Sequence, residues 1–203
     1  RFIALTEFSR QKFISAGLPA SRLSVKANFV RDTGHSGPAR SGALFVGRIS
    51  PEKGVQTLLA AWRAVKGVPL LVVGDGPDLE QLRKDAPENV TFLGHQPTER
   101  VLALMRQSSV LIVPSVWYEG FPVTVVEAFA SGLPVLASNI GSLSEVVVDG
   151  VNGRVFEVGK DRALAASVEQ LFSDAESLVA LGVGARSSYE NLYTPEVNLR
   201  MLE

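Results

Sequence analysis

Cysteine is absent from the 203-residue sequence. That removes disulfides, thiolate metal sites and a cysteine nucleophile, and it leaves a cytosolic address open. Histidine is nearly absent too. With only His35 and His95, a dedicated transition-metal site is not expected, and no persuasive Ser-His-acid set can be assembled. No apolar run reaches the roughly 18 residues needed to span a bilayer. The longest candidate, Val110 to Ala137, is interrupted by Pro114, Glu119, Pro122, Glu127 and Pro134. A formal net charge of -1 gives no reason to expect nucleic-acid binding or strong attraction to an anionic membrane.

Three phosphate-handling signatures are missing as well. There is no Asp-x-Asp pair to hold Mg²⁺ on a diphosphate, and no G-x-x-x-x-G-K-[ST] loop of a nucleoside triphosphatase. Gly74-Asp75-Gly76-Pro77 begins like a dinucleotide fingerprint, but Leu79 occupies its third glycine position. A tight turn feeding a helix is sufficient explanation for that segment.

What is present is a globular composition: 46% hydrophobic and 20% charged residues, enough to build one buried core. Short apolar runs at Ala43–Val46, Pro69–Val73, Val90–Leu93, Val110–Val113 and Pro134–Ala137 suit strands covered on both faces. Arg1–Leu5 also reads as a strand interior, so the start of the natural chain is expected further upstream. Helical spacing fills the intervals. One helix is expected from a Thr6 cap to about Gly17, another from Ser50-Pro51 to about Val65. Others are expected over Pro77–Asp85, Thr98–Gln107, Pro122–Ala130 and Asp161–Phe172, with surface helices from about Ser173 onward. Thr33–Gly42, rich in Gly, Ser and Pro, reads as a loop or short linker. The rhythm predicts an α/β fold, a doubly wound parallel sheet of Rossmann-like type. Residues 1–32 are expected to be a partial interdomain or strand-helix segment, and 33–203 the main domain.

Two segments carry cations or carboxylates where such a sheet binds ligands, at the carboxyl ends of its strands. In Gly47-Arg48-Ile49-Ser50-Pro51-Glu52-Lys53-Gly54, Arg48 and Lys53 flank a strand-to-helix turn, and two cations beside helix amides suit a diphosphate. In Pro114-Ser115 through Glu127-Ala128, a second strand ends, a loop follows, and a helix is expected to start at Pro122. The amides of Gly120 to Val123 are expected to be free to meet an anion. Glu119 precedes that helix. Glu127 lies in its second turn among Val, Ala and Phe, a costly place for a carboxylate without hydrogen bonds. A ribose diol could supply them, and so could backbone or an arginine. Gly132–Glu145 reads as strand, turn and short helix, with Glu145 bonding loop amides or lining the site.

Taken in order, these segments resemble the C-terminal domain of family 4 retaining glycosyltransferases, enzymes of the two-Rossmann-domain GT-B architecture. Ala4-Leu5-Thr6-Glu7-Phe8, Val25-Lys26-Ala27-Asn28-Phe29-Val30, Phe92-Leu93-Gly94-His95 and the two glutamates eight residues apart complete the match. Two positions depart from the family pattern: Ser142 stands where a second loop glycine is usual, and Pro122 where glycine is frequent.

The resemblance implies a hexosyltransferase-like enzyme that binds a UDP-, GDP- or ADP-linked sugar as donor, without a metal or other cofactor. Arg48 and Lys53 would hold the diphosphate beside Gly47, and Glu127 the ribose. Glu119, with Gly120, Phe121, Pro122, Val123 and Thr124, would face the donor sugar, while Gly94, His95 and Gln96 would meet the nucleobase. An N-terminal acceptor-binding domain of roughly 150 residues is expected ahead of Arg1. The family also implies a cytoplasmic enzyme, any peripheral membrane attachment residing in that other half. Two alternatives remain open on the residues alone: a non-catalytic nucleotide-sugar-binding module, and a sugar-nucleotide epimerase on the same scaffold.

Overall fold

The computed structural model describes residues 1–35 and 40–202; residues 36–39 of the expected 33–42 loop lie outside that range. Six strands form one parallel sheet: β3 (Ala43–Val46), β4 (Leu70–Val73), β5 (Val90–Gly94), β6 (Val110–Val113), β7 (Val135–Ser138) and β8 (Gly153–Phe156). Their spatial order is β5-β4-β3-β6-β7-β8. The chain therefore builds outward from β3 in one direction, then crosses back to β6 and builds in the other. Between β3 and β6 the winding reverses, and loops leaving their carboxyl ends diverge to leave a crevice.

Each central strand is apolar on both faces, and its alternate residues serve different cores. Ala43, Phe45, Val110 and Ile112 join a cluster with α2 (Val55–Trp62) and α7 (Asp161–Ser173). Leu44, Leu111, Val135 and Ala137 join the opposite one, with α4 (Thr98–Gln107), α5 (Val123–Ala130) and α8 (Ala175–Leu192). Period-two alternation between two apolar layers is why these runs read as continuous hydrophobic stretches.

A separate two-stranded parallel sheet, β1 (Phe2–Ala4) with β2 (Leu23–Val25), carries α1 (Glu7–Ser15) between its strands. Thr6 caps α1 as expected, its Oγ1 accepting the Ser9 amide at 3.1 Å. The end of the chain holds this opening segment in place. Tyr193 accepts the Val30 amide at 3.2 Å through its backbone oxygen, Tyr189 donates its hydroxyl to the Val30 oxygen at 3.2 Å, and Asn198 donates to the Ala27 oxygen at 2.6 Å.

Several elements differ from the sequence expectations. The helix predicted from Ser50 to Val65 is divided: a 3₁₀ turn over Pro51–Lys53, then Gly54 in the left-handed region (φ 69°), then α2. Ser50 does not cap it but donates its hydroxyl to Glu52 Oε1 at 2.7 Å. Strands β2 and β8 were not foreseen, because Leu23-Ser24-Val25 is short and Gly153-Arg154-Val155-Phe156 carries an arginine. Beyond Ser173, α8 is more than a surface helix: it buries Leu181, Ala185 and Tyr189. A 3₁₀ turn over Ala20–Arg22, two short helices, α3 (Leu79–Lys84) and α6 (Leu143–Val146), and a final one, α9 (Pro195–Arg200), complete the described elements.

Candidate functional site

The crevice at the winding reversal is built by two loops that lock onto one another. A Cβ on Gly54 would overlap the carbonyl oxygen of Pro114, so only glycine allows the loop after β3 to close on the loop after β6. The Val116 amide then donates to the Glu52 oxygen at 2.9 Å. This contact brings Lys53 onto Glu119. The ammonium donates to both carboxylate oxygens, at 2.7 and 2.8 Å, and buried Ser115 donates its hydroxyl to Glu119 Oε1 at 2.6 Å. The sequence assigned Lys53 and Glu119 to different parts of a ligand; the fold places them in one ion pair. Ser115 is not among the residues the sequence singles out, although a serine two residues after an apolar strand and four before a carboxylate is a usable signal.

Beside this pair opens a cavity of ≈ 210 Å³, lined by Lys53, Ser115, Glu119, Phe121, Val123 and Thr124 among others. Its far wall is the start of α5, which begins at Val123 rather than Pro122. One expected anion-facing amide is already used. The Val123 N–H closes a tight turn onto the Phe121 oxygen at 3.0 Å, and Pro122 has none to offer. Among the described residues, the amides of Gly120, Phe121 and Thr124 have no backbone partner.

Glu127 lies on α5 one turn beyond Val123 and Thr124, which line the cavity, and is not itself part of the cavity wall. Its carboxylate has no hydrogen-bonding partner among the described residues; neither backbone nor arginine satisfies it. Burial alone pushes the Glu127 carboxyl above its ordinary value. A half-buried carboxylate with open lone pairs is the feature a diol would complete.

A second cavity, of ≈ 310 Å³, opens on the other side of the β3 exit, bordered by Gly47, Arg48, Asp75, His95 and Gln96. Arg48 is exposed and makes no hydrogen bond or ion pair among the described residues. Its charge acts on Glu52, whose carboxyl is lowered first by the Ser50 hydroxyl and only weakly by Arg48. The Gly74–Pro77 turn does more than feed a helix. Gly74 packs so closely on the Gly47 oxygen that a Cβ would overlap it, and the Ile49 amide donates to the Asp75 oxygen at 2.9 Å. The turn thus aims the Arg48 loop. Gly94 is set by a register shift between β4 and β5, its oxygen accepting the Gly74 amide at 2.9 Å. Gln96 donates its side-chain amide to the Leu93 oxygen at 2.7 Å, leaving its side-chain oxygen at the cavity wall.

Glu145 belongs to neither cavity. Its oxygens accept the amides of Glu7 and Phe8 at 2.8 and 2.9 Å, so it caps α1 instead of bonding its own loop. Ser142 sits at φ -64°, a conformation that needs no glycine, and its hydroxyl meets Thr6 Oγ1 at 3.0 Å. No group of three or more His, Asp or Glu side chains is placed to hold a metal ion among the described residues, and no described helix is long and apolar enough to cross a membrane.

The doubly wound parallel sheet, with cations, open amides and a half-buried carboxylate around its winding reversal, is an α/β domain of the Rossmann-like class. Comparison with known proteins gives the family. Residues 38–188 match the model of the glycosyl transferases group 1, and the chain belongs to that family. It is 39% identical over 158 residues to a phosphatidyl-myo-inositol mannosyltransferase of Mycobacterium leprae, covering 72% of this chain and 42% of that protein. It is 34% identical over 170 residues to a glycogen synthase of Mycobacterium tuberculosis, covering 79% and 39%. Among solved structures, Anabaena Alr3699/HepE in complex with UDP and glucose superposes with a TM-score of 0.87 at 24% identity, over 98% of this chain and 61% of that one. The architecture is that of the C-terminal domain of a GT-B glycosyltransferase. The chain spans about 40% of the length of the curated relatives it first matches.

Proposed function

We propose that this chain binds a nucleoside diphosphate sugar in the crevice between β3 and β6, as the donor half of a metal-independent, retaining glycosyltransferase. The observation that supports the reading is that the Lys53–Glu119 pair lines one cavity and Arg48 the neighbouring one, on loops that follow β3 and β6, with the unpaired Glu127 carboxylate on the helix after the second loop. In this reading the ribose diol donates to Glu127, Arg48 and Lys53 meet the diphosphate with the amides of Gly120, Phe121 and Thr124, and Glu119 faces the sugar. The nucleobase lies toward Gly94, His95 and Gln96.

Transfer breaks the bond between the anomeric carbon and the phosphate oxygen, and the electron pair leaves with the diphosphate. The acceptor oxygen bonds the same face of the carbon, and its proton passes to the departing phosphate oxygen. No protein base is then required. Arg48 and Lys53 stabilise the charge that develops on the leaving group, a role worth about 10²–10³ in rate per donor. Two cations and helix-start amides stand in for Mg²⁺ here; a unit charge pair at 4 Å contributes roughly 4 kcal/mol at an effective dielectric of 20. Relatives described as GDP-mannose-dependent mannosyltransferases support a nucleotide-sugar donor. The shared length with relatives supports an acceptor bound by further chain.

Calorimetry and thermal shift with UDP, GDP and ADP, EDTA present, test the reading. One nucleotide at 100 times its dissociation constant should add about 2.7 kcal/mol of stability. Lys53→Ala and Glu127→Ala should each weaken its binding tenfold or more. If no diphosphate binds at millimolar concentration, or if binding requires a divalent cation, the reading fails as stated.

A further inference from the structure

The Lys53–Glu119 pair poses a chemical problem for any anionic ligand. Both Glu119 oxygens are engaged by the Lys53 ammonium, at 2.7 and 2.8 Å. A diphosphate arriving at Lys53 must therefore compete with a carboxylate already in place, only a few ångströms away and of the same sign. The pair is partly shielded from water, with side-chain exposures of 30% and 18%, so neither charge is readily screened. Ser115 adds a direction to the competition. Its buried hydroxyl holds Oε1 at 2.6 Å, the oxygen the ammonium also meets at 2.7 Å, so rotation about that anchor frees the Oε2 contact and keeps the Oε1 one.

We propose that Glu119 is an intramolecular competitor for Lys53 that makes the site distinguish a loaded donor from its spent diphosphate. The inference rests on the reading that the crevice binds a nucleoside diphosphate sugar. With a sugar present, its hydroxyls donate to Glu119, the carboxylate swings about Ser115, Oε2 leaves the ammonium, and one Lys53 N–H is freed for the diphosphate while the Oε1 contact stays. Once the sugar has been transferred, Glu119 loses those donors, Oε2 recaptures the Lys53 N–H, and the diphosphate loses that donor. Donor binding and product release then oppose each other through a single carboxylate. Ser115 is the positioning residue for this movement. Glu119 acts as a specificity determinant in addition to any contact it makes with the sugar.

The experiment compares two ligand pairs, UDP with UDP-glucose and GDP with GDP-mannose, by calorimetry or ligand-observed NMR. The proteins are wild type, Glu119→Gln, Lys53→Ala and the double variant. Neutralising Glu119 should tighten binding of the free diphosphate about 5- to 10-fold and weaken binding of the sugar-linked form, so the ratio of the two affinities narrows. In the Lys53→Ala background the same change should alter diphosphate affinity less than twofold. That loss of effect separates competition for Lys53 from simple repulsion between Glu119 and the ligand. Ser115→Ala should narrow the ratio in the same direction and Ser115→Thr restore it. Glu119→Ala provides a second neutral variant should the glutamine form fold poorly.

A diphosphate that binds Glu119→Gln no tighter than wild type overturns the proposal, and so does tightening that persists undiminished without Lys53. Either result leaves the donor-site reading standing. Absence of binding by both ligand pairs to every protein, wild type included, removes the donor-site reading itself.

Discussion

Gly54 and Pro114 touch backbone to backbone, and a single Cβ on Gly54 would overlap the Pro114 oxygen. This contact, at a left-handed φ of 69°, joins the two strand exits on which Lys53 and Glu119 are carried. Gly54→Ala combines left-handed strain of about 1–2 kcal/mol with the overlap. It should lower stability by roughly 2–3 kcal/mol, which for a domain of this size is a fall in Tm of about 4–12 °C. Nucleotide binding should weaken with it, because the loops separate. An unchanged melting curve would mean that the two loops are not held together at this point.

Arg48 offers the opposite case. It is exposed and bonds no described residue, so Arg48→Ala should leave Tm within about 1 °C of wild type. Diphosphate affinity should nonetheless fall about tenfold, and its dependence on salt should lessen. A variant with full affinity would take Arg48 out of the site.

Glu127 carries a cost in stability. Burial raises its carboxyl pKa from the ordinary 4.5, so the folded state favours the protonated form. Any stability tied to that proton is fully present below the unfolded value and is lost as pH rises through the raised folded value. At neutral pH the charged carboxylate is a liability, and Glu127→Gln should be the more stable protein. The advantage should disappear on acidification below about pH 4. Nucleotide affinity should move the other way, falling about tenfold at pH 7. Equal stabilities across the whole pH range would remove the desolvation cost.

Asp32 and Arg186 behave with the reverse sign. Their ion pair at 2.6 Å, with desolvation opposing it, holds the Asp32 carboxyl at about 2 instead of 3.8. The stabilisation is present above the unfolded value and is lost as pH falls from about 4 to 2. Asp32 is half exposed, and solvent screening reduces the benefit to about 0.5–1 kcal/mol. Asp32→Asn should therefore lower Tm by a few degrees at pH 7 and by nothing near pH 2. The gap should shrink in 1 M salt.

Glu145→Ala removes both acceptors from the start of α1. A loss of about 1–2 kcal/mol is expected, seen as faster hydrogen exchange at Glu7 and Phe8. Nucleotide affinity should not change. A large drop in affinity with α1 intact would bring Glu145 back into the site.

Much of this protein was legible along the chain. Ala43–Val46 and Val110–Val113 match their strands residue for residue, because an apolar run that must face two helical layers leaves few other conformations. Thr98–Gln107 does so as a helix. Arg48, Lys53, Glu119 and Glu127 stand out in the sequence because they lie at or just beyond strand-to-helix turns, where such a sheet takes its ligands. The failures were local. Periodicity carried one helix through Gly54, but the left-handed turn there is dictated by Pro114, some 60 residues away in sequence. Strand β8 escaped notice because an edge strand tolerates an arginine.

By itself, then, the sequence determined the class of fold, the family and the residue types at the crevice, since these follow from periodicity and from the order of short motifs. Tertiary structure decided who meets whom. It paired Lys53 with Glu119, left Glu127 without a partner, closed the Val123 amide and sent Glu145 to cap α1. Those outcomes depend on distances between segments that pass one another only after the sheet is wound, and no spacing along the chain encodes a distance across it.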